Sequence, residues 1–181
     1  MSMLSRTAQV LSLGSRGKRI YSWSRSKVQK RKGVVMLRRL ASTSATWATV
    51  PLRLAMGIIF IGHGAGKVLG SFNGPGLRAF SSFPPPYPFM RPAWLWMGAA
   101  ALSELIGGIL ILLGLFTRLG AFVIAATMLT AMLGVHWKNG FFLSNNPPGI
   151  EYTVALLGGA LSLLISGGGL VSADRLIGGK R

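Results

Sequence analysis

The stretch Ala93–Leu115 reads AWLWMGAAALSELIGGILILLGL. It is long enough to cross a bilayer as a helix, because ~20 apolar residues rising ~1.5 Å each span the hydrocarbon. Glu104 stands near its middle and is one of only three acids in 181 residues. A carboxylate at that depth is expensive to bury and is rarely found without a partner or a wet cavity. Other apolar runs carry or border His63, Lys67, His136 and Glu151. Function is therefore a question about a small polar set within or just above a membrane.

The totals agree with a membrane protein of one domain. Half of the residues are hydrophobic and only 13% are charged, against ~25% in average soluble chains. The formal net charge is +17, but the excess is uneven. Residues 1–40 hold eleven Lys or Arg and no acid, whereas the remainder holds nine basic and three acidic groups. Anionic lipid headgroups account for such an arm. No nucleic-acid partner is expected, since no basic–aromatic surface pattern or DNA-binding motif follows it. With no cysteine, disulfides, zinc thiolates and thiol catalysis are excluded within the chain. Redox chemistry would need a quinone, another bound cofactor or a partner subunit.

Residues 1–45 form the basic N-terminal arm. Its Arg, Lys and Ser content matches a mitochondrial presequence. It equally suits a cytoplasmic tail, or an over-extended reading frame ahead of a start at Met36. Residues 46–175 form the membrane domain, with spans expected at 51–70, 93–115, 119–137 and 150–170. Residues 176–181 are a short basic tail. Between the first two spans, residues 71–92 hold six prolines and five Phe or Tyr. Proline breaks helices and aromatics suit the headgroup level, so this is a loop or short helix at the interface, lidding the bundle. Counting Lys and Arg on the connections places both termini on the cytoplasmic or matrix side. Arg53 lies at that inner end, where it can snorkel to headgroups. The architecture is an all-α, integral membrane four-helix bundle.

The stretch Gly62-His63-Gly64-Ala65-Gly66-Lys67-Val68 imitates a phosphate-binding loop. The pattern needs glycine where Ile61 stands and Ser or Thr where Val68 stands, so nucleotide binding is rejected. Read by depth, His63 lies ~5 Å from the midplane and Glu104 at it. Lys67 is one turn above His63 on the same helix face. The expected buried pair is Glu104 with His63 or Lys67, serving either as a register-fixing ion pair or as a proton-handling or quinone site. A carboxylate and a donor–acceptor imidazole are the types such a site needs. His136 and Glu151 close the third span and open the fourth, giving an outer rim. Glu151 is also favoured there by the helix dipole. A His63/His136/Glu104/Glu151 metal site has no supporting ligand spacing, and no metal is assigned.

These pieces have a familiar order. RLAMGIIFIGHGAGKVLG, then Gly74-Pro75-Gly76-Leu77, then SELIGGILILLGLFTRLGA at 103–121, HWKNGFF at 136–142 and Glu151-Tyr152 resemble the DoxX family of small four-helix membrane proteins. Related to these is the DoxD subunit of a thiosulfate:quinone oxidoreductase. The resemblance covers about two-thirds of the chain, from Leu52 to about Leu176. It implies a bundle in an energy-coupling membrane, the bacterial plasma membrane or the mitochondrial inner membrane, associated with redox partners. The family's polar positions would fall on His63, Lys67, Glu104, His136 and Glu151. The leading expectation is a membrane subunit or accessory of a quinone-linked oxidoreductase complex, with quinone the one candidate cofactor. The alternatives are a non-catalytic anchoring or assembly subunit and a small transporter. The transporter is weakened by the absence of an internal repeat.

Overall fold

The segment Thr49–Leu69 forms the first long helix, α1, with Pro51 in the first turn, where no intrahelical N–H is required. The computed structural model describes residues 41 and 43–178. The arm over residues 1–40, with its presequence, tail and Met36 readings, lies outside the described residues, as do residues 179–181. A short helix α2 spans Gly76–Ser81. Helix α3 spans Ala93–Leu113, and α4 spans Thr117–Ala131. A π-turn at Met132–His136 and a 3-10 turn at Trp137–Asn139 carry α4 on without a break. Helix α5 spans Glu151–Ser166 and α6 spans Ala173–Gly178. The described residues form no strand.

The three spans expected at 51–70, 93–115 and 119–137 are present to within two residues at each end. Three helices, Thr49–Leu69, Ala93–Leu113 and Thr117–Asn139, are long and apolar enough to cross a membrane. The fourth span differs. It stops at Ser166 rather than near 170, because Gly167, at φ 76 and ψ −163, leaves the helical region. Gly168 and Gly169 continue the turn, and the chain then forms α6, which runs from the end of the membrane domain expected at 175 into the basic tail expected from 176.

Helix α1 packs on α3, α3 on α4, and α4 on α5, with α5 closing back on α1. The long helices thus run up, down, up, down around one core. Met56 and Phe60 meet Ile111, Ile124, Met128, Leu156 and Leu163 there. Leu54, Ile58, Ile106, Phe122, Leu161 and Ile165 point outward and remain exposed, as lipid-facing residues do.

Glycines set the α1–α3 distance. A Cβ on Gly57 would come 2.8 Å from Leu112 Cβ, and one on Gly108 would come 2.8 Å from Ile61 N. A Cβ on Gly64 would intrude on the Leu105 backbone. Between helices in lipid, close backbone approach supplies the packing that water-driven burial supplies elsewhere. Gly64→Ala is therefore expected to push the helices apart and cost about 1–3 kcal/mol, the usual range for overpacking. Gly62→Ala, two residues away, meets nothing within 4 Å and is expected to be neutral or slightly stabilising. Thermal unfolding of both variants in mild detergent checks the contrast.

Two polar assemblies close the ends of the bundle. At the loop end, α2 touches both α1 and α3. The proline-rich strand of chain behind it reaches α4, where a Cβ on Gly134 would come 2.6 Å from Pro86 Cβ. Gly134 thus provides the seat for the lid. At the termini end, Arg53 does not snorkel. It is 4% exposed, and its Nη1 donates to Gly168 O at 2.8 Å. The turn at Gly167–Gly169 folds over its head and keeps it from the surface. Asp174, 1% exposed, accepts from the backbone N–H groups of Phe116 at 2.6 Å and Thr117 at 2.9 Å. These are N–H groups that the start of α4 would otherwise leave unpaired. Phe116 holds a left-handed conformation, φ 45, unusual for a bulky residue. The Asp174 carboxylate fixes it there.

Candidate functional site

Gly64 and Gly108 bring α1 and α3 close enough for their polar residues to meet across the seam. Lys67 lies one turn beyond Gly64 on α1, and Glu104 one turn before Gly108 on α3. Lys67 Nζ donates to Glu104 Oε1 at 2.6 Å and Oε2 at 2.5 Å. The Glu104 side chain is 3% exposed and that of Lys67 25%. Burial of two charges costs desolvation that their attraction only partly offsets. The bidentate, charge-assisted geometry is what makes the pair tenable. The Lys67 ammonium also sits 5.2 Å from the Phe80 ring centroid, a cation–π contact from the lid helix α2.

The pair closes one end of a cavity of about 600 Å³ between the lid, α3 and α4. Its walls are mainly apolar and aromatic, with Phe80, Phe83 and Pro86 from the lid and Trp96 and Met97 from α3. Ser103 Oγ and Thr127 Oγ1 stand 2.7 Å apart inside it. Each hydroxyl also lies within hydrogen-bond distance of its own helix, at Ala100 O and Val123 O. Two hydroxyl protons serve three such contacts, so the pair keeps lone pairs in hand and faces the cavity chiefly as an acceptor. The donor is Lys67, and His136 stands at the rim. A cavity of this size, with a few convergent polar groups, has the form of a small-molecule site.

The other candidate residues separate. His63 is not paired with Glu104. It is exposed toward the start of α5, with its ring centroid 6.2 Å from that of Tyr152. His136 ends the π-turn and lines the cavity rim, its Nδ1 2.9 Å from Pro148 O. Glu151, exposed, accepts from the Leu143 N–H at 2.8 Å. There it braces the loop between α4 and α5, and it does not line the cavity. Helix-end position alone placed Glu151 at the rim, and the loop folding back over the α5 start is what removes it. Among the described residues no three His, Asp or Glu side chains converge on a common point.

Sequence reading missed Ser103, Thr127 and Asp174. The hydroxyls left a faint signal, since Thr127 interrupts an apolar run and Ser103 adjoins Glu104. Asp174 left none, because its partners are backbone amides 57 and 58 residues away.

Comparison with known proteins places the chain. Over 135 residues it is 29% identical to "Putative oxidoreductase CatD" of Bacillus subtilis (strain 168), covering 71% of this chain and 86% of that protein. No solved structure matches it. Residues 48–137 match the DoxX family model, a segment that runs from α1 through the π-turn and includes both members of the buried pair. With its long apolar helices and that match, the chain is an integral membrane protein of the DoxX family.

Proposed function

We propose that this protein is a membrane subunit of a quinone-linked oxidoreductase complex, with the cavity beneath the lid taking the quinone ring. The observation that carries this reading is a buried Lys67–Glu104 pair at the end of a mainly apolar, aromatic-walled cavity of about 600 Å³. A quinone is a flat apolar ring with two acceptor oxygens. Aromatic walls suit its faces. Lys67 suits a carbonyl oxygen, and the Ser103–Thr127 pair suits the hydroxyl of the reduced form. A bound quinone would supply two-electron, two-proton chemistry. The chain has no thiol or nucleotide motif, so electrons would come from a redox group of a partner subunit. The oxidoreductase name of the Bacillus relative supports the same class. The positive-inside rule supports an orientation with both termini in the cytoplasm or matrix.

Trp96 lines the cavity and reports on it. A short-chain quinone titrated into the purified protein is expected to quench tryptophan fluorescence saturably, and Trp96→Phe to abolish most of that change. Lys67→Met is expected to weaken binding about tenfold or more, the usual value of a hydrogen bond to a charged group. Absence of saturable quenching would remove the quinone reading. The same protein co-purifying with a stable membrane partner would then favour the anchoring role.

A further inference from the structure

Lys67 borders two openings. On one side it closes the cavity beneath the lid. On the other it lines a cleft of about 570 Å³ between α1, the turn at residues 71–75 and the first turn of α5. The two differ in chemistry. The lid's prolines and aromatics cover the cavity, whereas the cleft sets His63, Tyr152 and Ser71 beside an apolar side of Ile58, Ile59, Phe72 and Pro75. His63 is exposed and lies four residues before Lys67 on α1, so both side chains share that helix face. The same residue that failed to reach Glu104 thus flanks Lys67 in the cleft, one turn deeper along α1.

We propose that this lateral cleft is the route by which protons pass between water at the loop end, beside Ser71 and Gly74, and the Lys67–Glu104 pair, with His63 as a further exchanging group on its wall. The use of that proton rests on the quinone reading, but the route does not. Were a quinone bound, a Lys67 N–H bond would break and an O–H bond would form on the ring oxygen beside it, with electrons supplied by the partner's redox group. Glu104 holds the ammonium in place through both carboxylate oxygens. A proton from water in the cleft, past the His63 ring on its wall, would then remake the Lys67 N–H bond. With two electrons and one proton delivered this way, the ring would become a quinol monoanion, whose second oxygen would take its proton from water.

Gly62 offers a clean test. It lines the cleft but not the cavity, and a Cβ there meets nothing within 4 Å. Gly62→Phe would therefore plug the cleft without touching the ion pair. Gly98 on α3 is equally unobstructed and lines neither opening, so Gly98→Phe is the control. The readout is hydrogen exchange at the Lys67 ammonium, followed by NMR of 15N-lysine-labelled full-length protein in nanodiscs and assigned by its loss in Lys67→Arg. It needs neither quinone nor partner.

Gly62→Phe is expected to slow exchange on the order of tenfold or more, since exchange tracks access to water. The slowing would register as a lower rate, or as a Lys67 signal visible only in the variant. His63→Gln is expected to slow it by less, and Gly98→Phe to leave it unchanged. Should Gly62→Phe not fold, Gly62→Leu and Gly62→Met serve as narrower plugs. Exchange as fast in the plugged chain as in the unmodified one, or no Lys67 signal in any chain, would overturn the route. An unchanged rate in His63→Gln would overturn the part given to His63. Cleft-controlled exchange without quinone quenching would leave the route standing and sink only the quinone reading.

Discussion

Glu104→Gln is expected to unfold in mild detergent well below the unmodified chain, with a loss of about 3 kcal/mol, the low end for breaking a buried ion pair. The substitution keeps the volume and removes the charge, so Lys67 is left with no ionic partner inside the bundle. The loss falls at the low end because the Lys67 side chain is 25% exposed and can turn partly toward the cleft. The double variant Lys67→Met/Glu104→Leu is expected to recover most of that stability, because apolar residues avoid the desolvation of both charges. A double-mutant cycle on the two positions separates the pair's coupling from the separate effects of each change. If Glu104→Gln were as stable as the parent, the carboxylate would not be carrying a buried negative charge, and the account of the cavity would fail with it.

Asp174→Ala is expected to be comparably severe, at about 3 kcal/mol, although it lies at the opposite end of the bundle and outside the spans. Its carboxylate accepts two backbone N–H groups at the start of α4 and lies close enough to Arg53 for their charges to interact. Removal would strand Arg53 in a buried site, free the left-handed Phe116, and detach α6. Asp174→Asn keeps one acceptor oxygen and is expected to lose roughly half as much. Thermal unfolding reads the stability. Limited proteolysis after residue 166 reads the detachment, since an undocked α6 exposes the glycine turn. A resistant, fully stable Asp174→Ala would show that α6 does not hold this end.

How much of this was legible in the sequence depends on the range of each interaction. Hydropathy located the helices because a span is a local property, and Gly70 and Gly114, both left-handed, mark ends that composition alone suggests. The lid was legible from its prolines and aromatics. Pairing of Glu104 with a residue on α1 followed from the cost of burial, but the choice between His63 and Lys67 did not. Both lie on one helix face, and only the depth at which α1 and α3 cross, set by Gly57, Gly64 and Gly108, selects Lys67. Arg53 and Asp174 were beyond reach for a different reason. A charged residue near a span end ordinarily faces headgroups, and nothing local announces that a glycine turn at 167–169 will fold over it.

That early stop of α5 also bears on the surrounding lipid. Sixteen residues at ~1.5 Å each give a rod of about 24 Å, short of the ~30 Å of a typical hydrocarbon slab. Its three neighbours, at 21 to 23 residues, meet that thickness. The bundle is therefore lopsided, and acyl chains beside α5 must shorten or be replaced by protein. Hydrophobic mismatch of this kind sorts proteins among bilayers and drives helices together. It makes the α5 flank the side on which a neighbouring helix would relieve the most strain in the membrane.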